Sequence, residues 1–268
     1  AAASWGSRPE YVQPDLSLLT WRSRPGDVVV FMKVLACEVF FREICHCAAR
    51  SPNLFDFEYL SQGYHDNPLI GVQKIQESLD ALEPGRFDAI LVGYGLCNNM
   101  LNGLRAPADT KLIVPRAHDC ITFFLGSRER YSSFFLDNPG TYYYTTGWLE
   151  HRERGGERPE RKQGAGLGTQ MEYDKLATQY GEENAKYLLE VMNGWTANYD
   201  RGVFIDFEFS RHLPCKETAR QICVDRGWKY EEIEGDLSLF QQWLDGPWPE
   251  EDYLVVEGGQ RIVPSYED

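Results

Sequence analysis

The sequence has no apolar run approaching the roughly 18 residues that a membrane helix needs, so a membrane-embedded protein is not expected. It has no cysteine pair at CxxC spacing, which removes the zinc ribbon. It has no GxGxxG, because position 98 is Asn, and no Walker lysine, so neither a dinucleotide nor ATP is indicated. The stretch AAASWGSRPE carries no apolar core of a secretory signal. Positive charge is also short. Lys and Arg total 27 against 41 Asp and Glu, a net charge of −14, and an acidic surface repels nucleic-acid phosphates and anionic lipid heads. Nucleic acid and membrane are therefore excluded as partners, and a small-molecule substrate is expected. Seven cysteines, an odd number in a chain of 268 residues, do not suggest a disulfide framework, and a reducing cytoplasm is the expected location.

What is present is enough apolar sequence, 43%, to fill one large or two smaller cores. DVVVFMKVLA (27–36), FDAILVGYG (87–95) and TKLIVP (110–115) are continuous apolar runs of strand length, the pattern of strands buried on both faces in a parallel sheet. LFDFEYL (54–60) alternates like a further strand. Helical spacing predicts a helix over 37–49 and another over NPLIGVQKIQESLDAL (67–82), with a cap residue and a Pro in its first turn. Short helices are expected over 121–125 and 129–136, and PGTYYYTTGW (139–148) reads as a turn and a strand. Beyond it, GVFIDF, KYEEIEG and DYLVVEGG read as strands around the helices CKETARQICVDRGW and DLSLFQQWLDG. The expected fold is α/β, a parallel doubly wound, Rossmann-like sheet in two lobes. The divisions are an N-terminal extension (1–26), a first lobe (27–150), a basic Gly-rich loop (151–171) and a second lobe (172–268). The loop is too polar to fold alone, so it is expected to dock on a neighbouring subunit of a homo-oligomer or over the mouth of a site.

In open α/β sheets the ligand lies beyond the carboxyl ends of the strands. Those ends carry Cys37, His65 in the loop after the second strand, Cys97, and the segment PRAHDC with His118 and Cys120. Thiolate and imidazole are the ligands of zinc or of an iron–sulfur cluster. Two readings stand side by side: a metal centre of Cys37, His65, Cys97 and Cys120, or buried cysteines around a polar pocket. His118, Asp119 and Arg116 are the candidate catalytic groups, Asp119 as base or as orienter of His118. Gly93 and Gly95 allow close backbone approach at the third exit, with Asn98 beside them, and Arg128 and Tyr131 could bind an anionic group. Arg42 and Glu43 are either a buried ion pair behind the site or a solvated helix face. Cys45 and Cys47 sit about 100° apart per residue on a helix and cannot converge with His46 on one ion, so they read as structural, as do Cys215 and Cys223.

LACEVFFREI, GYGLCNN, PRAHDCITFFLGSRERY and PGTYYYTTGW, in that order, resemble the uncharacterised family known as domain of unknown function sixteen-thirty-eight. The resemblance spans most of Lys33 to Trp148 and continues through GDLSLFQQWLDGPW and DYLVVEGG. It implies association with corrinoid-dependent methyltransferase systems, hence one-carbon metabolism and a corrinoid protein as partner. With the thiolate ligands, the expectation is a metal-dependent enzyme of one-carbon or methyl-transfer metabolism holding zinc. The alternatives are an iron–sulfur protein and a non-catalytic carrier of a metal or corrinoid.

Overall fold

A computed structural model describes residues 29–62, 64, 68–95, 100–138, 140–153, 177, 182 and 199–263. The loop expected at 151–171, apart from its first three residues, and the start of the expected second lobe, 172–198 apart from residues 177 and 182, lie outside them.

The apolar runs form strands. β1 (Phe31–Cys37), β2 (Leu54–Leu60), β3 (Ala89–Gly93) and β4 (Leu112–Pro115) lie in one parallel sheet in the order β2-β1-β3-β4. Every residue of β3 and β4 is buried, which is why these strands are apolar throughout rather than alternating. β2 is the edge strand and only half buried, which matches its alternation. Growth of the sheet reverses between β1 and β3, the kind of switch point at which doubly wound sheets open a crevice.

Helices cover both faces. α1 (Phe41–Ala48) follows β1 through a single 3-10 turn, and α2 (Pro68–Asp80) buries Gly71, Ile75 and Leu79. α3 (Cys120–Leu125) and α4 (Arg128–Asp137) follow β4. Next come β5 (Thr141–Tyr144), α5 (Thr146–Glu153), β6 (Arg201–Asp206), α6 (Cys215–Arg226), β7 (Lys229–Glu234), α7 (Ser238–Asp245) and β8 (Tyr253–Val256). β5, β6 and β7 make a second, three-stranded parallel sheet.

Sheet membership does not follow chain order. β5 lies before the basic Gly-rich stretch of the sequence yet pairs with β6 beyond it. β8 leaves the small sheet's stretch of chain and pairs antiparallel with β4, Leu112 opposite Val256 and Pro115 opposite Tyr253. One core joins the elements: Phe40 meets Phe123, Phe124 and Phe240 with ring centroids 4.7, 5.2 and 5.2 Å apart, and Trp243 of α7 presses on the β1–β3 face. A smaller core under β5 and β6 holds Tyr144, Phe204, Ile222, Cys215 and Cys223. The reading of the last two cysteines as core residues is what the fold contains. A Cβ at Gly202 would lie 2.3 Å from the Cys223 sulfur, so that strand position has to be glycine.

Candidate functional site at the exit of the fourth strand

After β4 the chain makes a tight turn and starts α3 at once. The Asp119 carboxylate caps this helix, Oδ1 accepting from the Ile121 N–H at 2.9 Å and from the Thr122 N–H at 3.4 Å. Its other oxygen, Oδ2, accepts the Tyr131 hydroxyl at 2.8 Å from α4, and His118 Nδ1 lies 3.3 Å away. The His118 ring stacks on Tyr131 at 5.6 Å. Burial and the Asp119 charge push the Tyr131 phenol well above the ordinary tyrosine range, so it remains a donor and the carboxylate an acceptor. Burial, then Asp119, raises Tyr143 as well.

Glycine makes this turn possible. A Cβ on Gly95 would stand 2.6 Å from the Asp119 Cα. The close backbone approach expected at Gly93 and Gly95 is thus filled by the protein itself, the Asp119 turn at Gly95 and Ala36 and Trp243 at Gly93.

Beside Asp119 opens a cavity of about 250 Å³, lined on one side by Cys120, Tyr131 and Phe135 and on the other by Tyr142, Trp148 and Tyr199. Trp148 reaches it because α5 is clamped to the turn after β1. A Cβ on Gly147 would overlap the Val39 carbonyl oxygen at 1.9 Å. Arg42 donates to both Glu150 oxygens at 2.6 Å, and Glu38, which accepts the Gln62 N–H at 2.8 Å, lies 3.3 Å from His151. Arg42 therefore pairs with Glu150 rather than with its neighbour Glu43, which is wholly buried.

The fold brings His118, Asp119, Cys120 and Tyr131 to one place. Arg116 is turned elsewhere, donating to the Glu250 carbonyl at 2.7 Å, and Arg128 donates to the Glu251 carbonyl at 2.7 Å, so both hold the loop before β8. Cys37 ends β1 and is buried. His65, Cys97 and Asn98 lie outside the described residues. Among the described residues no group of three or more His, Cys, Asp and Glu side chains is placed to hold a metal ion. Burial pushes the Cys47 thiol up to about 12 and the Cys223 thiol to about 11, as expected of packing residues. Sequence reasoning missed the aromatic wall from Tyr142 to Trp148 and Tyr199, having read TYYY only as a strand. The available signal was that three successive tyrosines cannot all face one core, since neighbours in a strand alternate.

Among the described residues no helix is long and apolar enough to cross a membrane. No curated protein and no solved structure matches the chain. A family model described as "Protein of unknown function (DUF1638)" matches residues 59–244, which takes in the GYGLCNN, PRAHDC and TYYYTTGW segments and more than half of the chain. The chain therefore belongs to the DUF1638 family.

Proposed function

We propose that the chain is an enzyme acting on a small molecule held in the cavity at the exit of β4. Asp119 moves a proton there, and Tyr131 and His118 set its orientation. The observation that supports this is the Asp119–Tyr131–His118 cluster at the wall of an aromatic cavity that also presents Cys120. A carboxylate within hydrogen-bond reach of a bound molecule can act as its base, typically worth about 10²–10⁴ in rate. Asn also caps helices, so Asp119→Asn should fold while losing the base. Screening pools of small metabolites for conversion by the wild-type protein, then repeating with Asp119→Asn, tests the reading. Loss of about 10²-fold or more is expected, and conversion at the wild-type rate would refute it.

A second reading adds a metal to the same edge and makes the enzyme one of methyl-transfer chemistry. The order β2-β1-β3-β4 supports it, because these four strands are neighbours and His65, Cys37, Cys97 and Cys120 stand at or after their ends in the sequence. When bound, zinc would activate a thiol or polarise the substrate. Metal analysis and a visible spectrum of anaerobically purified protein separate the possibilities. About one zinc per chain, lost in Cys120→Ser but kept in Cys45→Ser, supports this reading. Brown absorbance with sulfide indicates an iron–sulfur cluster, bound corrinoid a carrier, and metal-free protein leaves the acid–base reading alone.

A further inference from the structure

We propose that the cavity beside Asp119 takes a methylated ammonium cation, such as a choline-like headgroup; this rests on that cavity being the working site. The cavity has two aromatic walls. On one, Tyr131 and Phe135 stack with centroids 5.8 Å apart; on the other, Tyr142 stands edge-on to Tyr199 at 5.6 Å and to Trp148 at 6.3 Å. Asp119 is the charged residue among those described as lining it, and Lys, Arg and His are absent from that set. Ring faces carry negative electrostatic potential and attract cations. The methyl groups of a quaternary ammonium spread its charge over an apolar surface, so it gives up less hydration on entering than a bare ammonium does. A single carboxylate at the wall then supplies the matching charge.

Other ligand classes match this lining less well. An anion would meet Asp119 with the wrong sign and find no Lys, Arg or His among the described lining residues. A neutral apolar molecule would fill the walls but bring no positive charge to the carboxylate, whose ionisable neighbour on the protein side is His118, Nδ1 at 3.3 Å. Arg201, whose charge is felt at Tyr143, does not supply it, because its guanidinium is held by Asn138 and by Glu231 at 3.2 Å.

The test compares two molecules of one shape. Choline and 3,3-dimethylbutan-1-ol differ by nitrogen for carbon, hence by the charge alone. Calorimetric titration of the full chain should show choline binding at least about tenfold more tightly than the neutral alcohol. Asp119→Asn and Trp148→Leu should each weaken choline about tenfold or more. If Trp148→Leu does not fold, Tyr199→Leu at the outer wall takes its place. Equal or tighter binding of the neutral alcohol overturns the cation assignment, and so does no choline binding at millimolar concentration. If in either case the conversion slowed by Asp119→Asn persists, the site stands without this ligand. If Asp119→Asn is silent there too, both readings fall.

Discussion

Glu43 is the residue least at ease in this fold. Its carboxyl is wholly buried in α1, and neither oxygen has a hydrogen-bond partner on another described residue. Burial pushes it up to about 8; its own backbone N–H and then Arg42 offset part of this, and Glu150 adds to it. The sign of its linkage follows. Between about pH 4.5 and 8 the folded state holds a proton that the unfolded state has released. Stability should therefore fall as pH rises through that window and level off above it. At about 1.4 kcal/mol per unit, the loss is a few kcal/mol at most. Glu77, Glu129, Glu231 and Glu232, all held below the ordinary carboxylate range, act on the acid side of the window and do not mask it. Glu43→Gln should melt at nearly the same temperature from pH 5 to 8, whereas the wild type loses several degrees. Parallel curves for the two proteins would show that Glu43 does not carry this slope.

At the level of elements, most of the large sheet was legible because a strand buried on both faces has little choice of residue. The runs at 31–37, 89–93 and 112–115 are apolar for that reason, save Lys33, which pairs with Asp56 and Glu58, and Gly95 and Asp119 could be placed at the exits from topology alone. The cavity was not legible. Its second wall comes from β5, α5 and Tyr199, and nothing local says that this chain folds back over α3 and α4. Gly147 is where that fold-back becomes specific. A methyl group there would sit 1.9 Å from the Val39 oxygen, so Gly147→Ala must lift the start of α5 and carry Trp148 away from the cavity. We expect the melting temperature to drop by about 5 °C or more, with loss of ligand binding. A variant that melts within a degree or two of the wild type and binds normally would show that α5 is not held by this contact.

For the molecule as a whole, the sequence suggested two lobes in series, and the chain instead shares strands between stretches far apart. Register between distant segments is set by long-range burial, which composition and periodicity do not report. β8 illustrates the consequence in the order of synthesis. β4 lacks its outer neighbour until Tyr253–Val256 has been made, and the whole small sheet is translated in between. At roughly 5–20 residues per second, a growing chain displays the Leu112–Pro115 edge for seconds to tens of seconds, and such an edge templates pairing with other chains. Arrested chains ending just before Tyr253 should accordingly sediment with aggregates, and adding a peptide of the β8 sequence in trans should keep them in solution. If they remain monomeric without it, another element guards that edge. The newborn protein thus spends its most vulnerable interval with the very strand that leads into Asp119 uncovered, and its yield in a cell is set by how soon one late strand arrives.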